Sequence, residues 1–254
     1  PWSVLDVQGA DAVRWYFYTG SAPWLPSRFS AEAVSEAQRK FMGTLWNTYA
    51  FFVLYADIDK YDPSKYDIKK CKLSLMDKWA LSKLNTLVKT VDDGLAKYKT
   101  FETARFIQDY VDELSNWYVR RGRERYWGKE MTEDKAAAYT TLYTVLVTLS
   151  KVIAPYVPFM AESMYLNLVP EFYKDAPISV HLCSFPECDE SFVDAELEKG
   201  MEDVLEIVAL GRAARNGSNI KNRQPLQKVY IATDRKVKLS EGLLNIAKDE
   251  LNIK

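Results

Sequence analysis

The segment Ser74–Tyr98, SLMDKWALSKLNTLVKTVDDGLAKY, decides the fold class of this chain of 254 residues. Its apolar residues recur every three or four positions, which is the spacing of one face of an α-helix. Ser74, followed three residues later by Asp77, has the pattern of a capping box, in which the two residues bind each other's backbone N–H groups. The segment therefore predicts a long amphipathic helix whose apolar face is buried against other elements.

The helical spacing continues on both sides of this segment. Upstream, Ser30 is a favourable N-cap for a helix that extends to about Tyr55. Downstream, one helix begins near Thr100 and another after Thr132, and two prolines separate the latter from a short fifth helix. Long helices with short connections predict an antiparallel bundle over residues 29–175. The residues expected to be buried in it are Phe41, Leu45, Phe52, Leu84, Leu87, Val91, Leu114, Leu142 and Leu146.

The first of these helices carries two neighbouring apolar stripes. One stripe supplies the buried residues named above, and the second consists of Met42, Trp46, Tyr49 and Val53. A helix with two apolar stripes is expected to be buried over a wide arc and to lie centrally.

The pattern changes in the last third of the chain. Pro177–Pro186, PISVHLCSFP, is expected to be extended. Lys228–Asp234, KVYIATD, alternates like a strand, and Leu239–Leu251 resembles a final helix. The sequence therefore predicts a mainly α protein with three parts: a linker over residues 1–28, the helical bundle over 29–175, and a small, truncated α/β subdomain over 176–254.

Composition limits the class of protein. A hydrophobic share of 48% is enough for a sizeable core, and a net charge of -1 means that any nucleic-acid contact must come from local basic patches. Three cysteines without a CxxC pair indicate a reducing, cytoplasmic setting. No apolar run approaches the ~20 residues of a membrane span, so no membrane partner is expected. The chain lacks an initial Met and a signal peptide, and we expect it to be part of a longer protein.

Enzyme chemistry is poorly represented in the sequence. There is no Gly-rich phosphate loop, and a single histidine excludes most Ser/His and multi-histidine metal sites. His181, Cys183 and Cys188 lie near one another in sequence, but structural zinc needs four ligands at tighter spacing. We therefore expect no catalytic residue, no metal and no cofactor in this chain.

A first basic segment is Ser115–Trp127, SNWYVRRGRERYW. Arginine binds phosphates bidentately and tryptophan offers a stacking surface for bases, which favours an RNA-facing surface. The alternative is a solvated helix end whose arginines pair with nearby acids. Arg121 continues the apolar stripe and is the arginine expected to brace the bundle. The candidate RNA-binding residues are Arg120, Arg121, Arg123, Arg125 and Trp127.

A second basic segment is Gly211–Gln227, GRAARNGSNIKNRQPLQ, which is predicted to be a loop that follows a helix. Its amide and basic side chains could recognise base edges in single-stranded RNA. The alternative is a surface loop that balances the charge of the acidic helix before it. The candidate residues are Arg212, Arg215, Lys221, Asn222, Arg223 and Gln224.

Several motifs resemble one family. Residues 9–24, GADAVRWYFYTGSAPW, resemble the segment after the KMSKS loop in class I aminoacyl-tRNA synthetases for branched aliphatic amino acids. Residues 114–127, LSNWYVRRGRERYW, resemble a helix of the isoleucyl-tRNA synthetases. Residues 150–168, SKVIAPYVPFMAESMYLNL, and the segment 177–186 are similar to the same family. The resemblance covers essentially the whole chain.

The resemblance implies a helical anticodon-binding domain that holds isoleucine tRNA. A separate catalytic domain of the same parent chain, which carries the HIGH and KMSKS motifs, would use ATP with Mg to activate isoleucine. Those motifs are absent here, so the chain alone is expected to be inactive. Asp11 and Arg14 are expected to form a structural pair in the linker to that domain. Two alternatives remain open: the same region of a valyl- or leucyl-tRNA synthetase, and a helical scaffold that binds protein but no RNA.

Overall fold

The computed structural model describes residues 2–22, 24–26, 28–233 and 239–254. The chain divides into two compact units, Pro1–Val193 and Asp194–Lys254, so the division comes later than the expected limit at 176. Within the described ranges the secondary structure is helical and forms no strand, which confirms the prediction of a mainly α protein.

The N-terminal segment packs into the first unit. Helices α1 (Trp2–Gln8) and α2 (Ala10–Thr19) lead into it, and the fully buried indole of Trp15 stacks on Phe41 with ring centroids 3.6 Å apart. Residues 1–28 were expected to be a linker, but an aromatic stack of this kind fixes α2 to the bundle.

Asp11 and Arg14 do not form the expected pair, and each binds the connection between two later helices. The Asp11 carboxylate accepts a hydrogen bond of 2.8 Å from the backbone N–H of Met160 and one of 3.4 Å from Phe159. The Arg14 guanidinium donates to the carbonyls of Pro155 and Tyr156 at 2.7 and 3.0 Å. The acid thus meets unsatisfied N–H groups at a helix start, and the cation meets carbonyls at a helix end.

The first predicted helix is confirmed, with one irregularity. It consists of α3 (Ala31–Gln38), a π-helical turn (Arg39–Gly43) and α4 (Thr44–Asp59), and the Ser30 hydroxyl caps it by accepting from Ala33 N–H at 3.2 Å. The prediction for its second stripe is wrong for two residues, since Trp46 and Val53 remain 42% and 37% exposed. Phe41, Leu45 and Phe52 of the first stripe are buried, and of the second stripe Tyr49 is buried.

The remaining helices of the bundle are α5 (Leu75–Ala96), α6 (Thr100–Glu113), α8 (Glu133–Ile153) and α9 (Pro158–Leu168). Both hydrogen bonds of the capping box predicted at Ser74 and Asp77 are present. Helix α5 packs against α6 and α8, and α8 also packs against α4 and α9. All nine residues predicted to be buried in the bundle are buried, none more than 3% exposed.

Helix α8 is long and apolar enough to cross a membrane by length and composition. Of its most apolar stretch 78% is buried inside the protein, as in the core helix of a globular domain.

Residues between α9 and the second unit belong with the bundle. The segment 177–186, expected to be extended, contains a 3₁₀ turn at Val180–Leu182. Tyr165 donates from its hydroxyl to the carbonyl of Pro177 at 2.9 Å, and Val180 N–H donates to the Glu162 carboxylate at 2.8 Å. The side chain of Val180 is buried, so this segment is anchored to α9.

The second unit consists of α10 (Ala195–Gly217) and α11 (Glu241–Leu251), joined through residues that include the gap at 234–238. The two helices approach closely at Gly200 and Gly211, where a Cβ atom would lie 2.5 and 2.6 Å from leucine side chains of α11. The strand predicted at 228–234 is wrong for its described part, 228–233. A strand needs a partner, and the pairing here is one parallel bridge between Leu226 and Ile253.

Candidate nucleic-acid interface

The first basic segment forms a tight turn at the end of α6. A π-helical segment, Leu114–Val119, leads into the three-residue α7 (Arg120–Gly122) and then a 3₁₀ helix (Arg123–Tyr126). We refer to residues 120–127 as the arginine turn. Such π-helical segments often occur at functional sites.

Arg125 is held inside the protein by two carboxylates. Its two terminal nitrogens donate to the two oxygens of Asp77 at 2.7 and 2.8 Å, and the group also donates to Asp134 at 2.8 and 2.9 Å. The Arg125 side chain is 17% exposed and that of Asp77 is 0% exposed. The same Asp77 carboxylate accepts from the hydroxyl of Tyr118 at 2.6 Å. A bidentate arginine–carboxylate pair of this kind fixes both position and orientation.

The charges in this cluster stabilise one another. Burial would by itself raise the pKa of the Asp77 carboxyl group, but hydrogen bonds from Arg125, Tyr118 and Ser74 more than offset burial and lower that pKa. Burial would likewise lower the pKa of Arg125, yet its carboxylate partners Asp77 and Asp134 raise it. Both groups therefore stay ionised, and the pair acts as a permanent clamp at neutral pH.

A second buried ion pair holds the far end of the turn. The ammonium group of Lys135, 2% exposed, lies 2.6 Å from the carboxylate of Asp59 and also donates to the carbonyl of Gly128. Between the two pairs, the buried Tyr126 donates from its hydroxyl to the carbonyl of Ala138 at 3.0 Å. The backbone of the arginine turn is thus fixed to α5 and α8.

Two other cations of the turn are exposed. Arg120 and Arg123 are exposed, and Trp127 is 60% exposed. The Arg120 guanidinium lies over the ring of Trp117, 5.8 Å from its centroid, and donates to the carbonyl of Asn116 at 2.7 Å. Arg121, the arginine predicted to brace the bundle, is half-buried with a buried Nε atom, and the buried carboxylate of Asp77 is bound by Arg125.

The loop predicted over 211–227 is wrong for residues 211–217, which form the end of α10, and two of the six candidate residues lie there and bind groups of the protein. The Arg215 side chain is buried and binds backbone carbonyl groups, and Arg212 forms an ion pair with Glu250. The other four candidates, which we call the basic loop, are exposed and consecutive: Lys221, Asn222, Arg223 and Gln224. The basic loop and the arginine turn lie in different units.

Sequence reasoning missed three residues that shape these patches. Asp77 was identified only as a helix cap, and nothing in its spacing indicates a pair with Arg125. Lys135 carried a usable signal, because it stands four residues before Tyr139 on the buried face of α8. Asn252 carried none, since its contact with the basic loop depends on the tertiary fold.

Comparisons with known proteins agree with this architecture. Residues 77–231 match the family described as the anticodon-binding domain of tRNA ligase. The whole chain is 58% identical to the isoleucine–tRNA ligase of Clostridium novyi, 56% to that of Clostridium acetobutylicum and 45% to that of Dehalococcoides mccartyi. The chain spans about a quarter of the length of these relatives, 24 or 25%.

One solved structure has a similar fold. It is the LeuRS of Agrobacterium radiobacter in a ternary complex with tRNA and LeuAMS. The TM-score is 0.55 at 17% sequence identity, over 77% of this chain and 22% of that chain. At this identity the similarity extends to the fold alone.

Proposed function

This chain belongs to the anticodon-binding domain family of tRNA ligases, and we propose that it is the tRNA-binding region of an isoleucine–tRNA ligase. The identity with three such ligases over the full length of the chain supports this assignment. The proposed RNA ligand is isoleucine tRNA, bound at its anticodon stem-loop. The proposed location is the cytoplasm, where translation takes place.

The observation that carries the proposal is the arginine turn. Arg120, Arg123 and Trp127 are exposed on a backbone that two buried ion pairs hold in place. Guanidinium groups suit phosphates, and an exposed indole suits an unstacked base. Because the turn is already ordered, binding RNA there costs little conformational entropy.

The parent protein would ligate isoleucine to this tRNA at the expense of ATP. We assign ATP and its Mg to a catalytic domain elsewhere in the parent chain, which is therefore a second partner. The chain itself is proposed to hold tRNA and to catalyse nothing.

A titration of labelled isoleucine tRNA at several salt concentrations tests the proposal. A surface that neutralises several phosphates releases counterions, so the affinity should fall by orders of magnitude from low to moderate salt. Arg120→Ala and Arg123→Ala should each reduce the salt slope by about one unit. The matched control is Arg105→Ala, which removes an exposed arginine that lies over Phe101. Association that does not depend on salt would contradict the proposal.

The specificity is tested with a second set of RNAs. An isoleucine tRNA with a substituted anticodon should bind more weakly than the natural one, because anticodon bases are the proposed contacts. Tighter binding of valine or leucine tRNA would assign the chain to the corresponding ligase instead. Failure to bind any tRNA would leave a helical scaffold as the better description.

A further inference from the structure

The buried guanidinium of Arg215 binds only carbonyl groups among the described residues. It is 4% exposed, and one terminal nitrogen donates to the carbonyls of Lys221 and Gln224 at 3.1 and 2.9 Å. The other donates to the carbonyl of Leu251 and, at 3.5 Å, to that of Asn252. Leu251 and Asn252 lie at the C-terminal end of α11, where the helix dipole favours a cation. Among the described residues these partners include no carboxylate, so the hydrogen bonds to carbonyl groups are what compensates the burial of the charge.

Asn252 binds the two loop carbonyls that Arg215 does not reach. Its side-chain amide donates to the carbonyl of Arg223 at 2.9 Å and to that of Asn222 at 3.5 Å. Its backbone has φ of 50°, a left-handed conformation that asparagine and glycine adopt more readily than other residues. Residue 252 is therefore placed to reach back to the loop from the end of α11.

Together the two residues bind all four carbonyls of the basic loop. The carbonyls of Lys221–Gln224 are engaged on the protein side, while the four side chains remain exposed. A loop held in this way has a fixed backbone and presents its side chains in one arrangement, which lowers the entropy cost of binding. Arginine suits this task because its planar fork spans carbonyls on two sides, whereas a lysine ammonium is a single point.

We propose that Arg215 and Asn252 are positioning residues that preform the basic loop to recognise unstacked bases of a single-stranded RNA. The inference rests on the proposed function, which supplies the tRNA anticodon loop as the ligand. Arg215 itself is not proposed to touch RNA, since its side chain is buried and its two terminal nitrogens donate to the protein. Recognition falls to the exposed side chains of Lys221, Asn222, Arg223 and Gln224.

Two substitutions in the 254-residue chain test the proposal. Arg215→Lys keeps the positive charge but loses the planar guanidinium group that binds carbonyls on two sides. Asn252→Gly removes the side-chain amide without backbone strain, because glycine readily adopts a φ of 50°. It changes no residue of α10, so it remains an independent test if Arg215→Lys disturbs that helix. Arg212→Lys is the control for the loop, since Arg212 is three residues away on α10 but pairs with Glu250. Each variant is measured by hydrogen–deuterium exchange of the loop amides and by titration with isoleucine tRNA and its anticodon-substituted form.

We expect faster exchange at residues 221–224 in Arg215→Lys and Asn252→Gly, and unchanged exchange there in Arg212→Lys. We also expect both test variants to lose about fivefold or more of the preference for the natural anticodon, about the loss of one base contact. The salt slope should remain that of the unsubstituted chain, because the arginine turn is intact. Unchanged exchange, or faster exchange with the preference retained, overturns the inference. A failure of the proposed function would be visible separately, as absence of tRNA binding by the unsubstituted chain.

Discussion

The arginine turn and the basic loop carry similar side chains but are held by different chemistry. In the turn, the bracing arginine, Arg125, pairs with the carboxylates of Asp77 and Asp134. In the loop, the bracing arginine, Arg215, binds backbone carbonyls at the end of a helix and along the loop itself. One brace depends on carboxylates, and the other depends on backbone dipoles, which do not titrate.

This difference shows that composition does not distinguish a bracing arginine from a binding one. Each basic segment has at least one arginine that binds groups inside the protein and at least one that is exposed. Arg123 and Arg125 are two residues apart, yet the first is exposed and the second is 17% exposed. A count of basic residues therefore overestimates the number of cations that RNA can reach.

The largest effect should follow from removing the acid beneath the turn. Asp77→Ala leaves the Arg125 guanidinium without its buried partner and also removes one of the two hydrogen bonds of the capping box of α5. Breaking a buried pair on one side destabilises a protein by about 3–5 kcal/mol. Urea denaturation followed by circular dichroism should show a loss of this size in the free energy of unfolding.

Asp189→Ala serves as the control for this substitution. Its carboxylate pairs with Lys69 at 2.7 Å on the surface of the same unit. Exposed pairs contribute little, so the loss should be much smaller. Equal losses in the two variants would mean that the Asp77–Arg125 pair is not a brace.

Lowering the pH should weaken the stabilisation by the Asp77–Arg125 pair and leave that by Arg215 unchanged. Because the pKa of Asp77 is lowered by folding, the stability it contributes is fully present above its unfolded pKa of about 4 and is lost as the pH falls below that value. The difference in unfolding free energy between the unsubstituted chain and Asp77→Asn should therefore become smaller as the pH falls from about 5 to about 2. The destabilisation by Arg215→Lys should stay constant over the same range, since its partners are carbonyls. If the difference in unfolding free energy between the unsubstituted chain and Asp77→Asn does not change with pH, the ionised Asp77 carboxylate does not stabilise the turn.

Substitutions of exposed residues should then affect only RNA binding. Asn222→Ala in the loop should cost about 1–3 kcal/mol for isoleucine tRNA and little for a tRNA with another anticodon, as for the loss of one base contact. Arg123→Ala in the turn should weaken both tRNAs by the same factor, because phosphates carry no sequence. Parallel titrations of the two tRNAs measure both effects. If Asn222→Ala also weakens both tRNAs equally, the loop has no role in recognising bases.

The helices could be predicted from the sequence because their signals are local. The capping box at Ser74, the caps at Ser30 and Thr132 and the three-four spacing of the core residues all lie within one or two turns of the residues that they determine. The braces could not be predicted in this way. Asp77 and Arg125 are 48 positions apart, and Arg215 meets Leu251 across 36. Such contacts exist only once the helices have packed.

The strand predicted at 228–234 is wrong for its described part, 228–233, for the same reason, namely that a local sequence pattern does not report tertiary contacts. Alternation in residues 228–233 describes one chain segment, whereas a strand is defined by the partner that it pairs with. Tyr230 in this segment is 89% exposed and Ile231 is 50% exposed, so the alternation does not correspond to a buried face. Local patterns therefore predicted the bundle well and the second unit less well.

The smallest effect expected is that of Trp127, whose 60% exposed indole stands beside the arginines on the clamped turn. Stacking of one base on an aromatic side chain contributes about 1–3 kcal/mol, and an indole at the edge of a surface should lie near 1 kcal/mol. Trp127→Ala should weaken the binding of all tRNAs about equally and leave the salt slope unchanged, because stacking releases no counterions.

Trp46→Ala is the matched control, since Trp46 is 42% exposed in the same unit and far from the turn in sequence. Fluorescence titrations at one moderate salt concentration measure both variants, and urea denaturation verifies that each is folded. If Trp46→Ala loses as much affinity as Trp127→Ala, the loss is not due to stacking at the arginine turn. If Trp127→Ala loses no affinity while Arg123→Ala does, the arginine turn binds phosphates alone, and only the basic loop contacts bases.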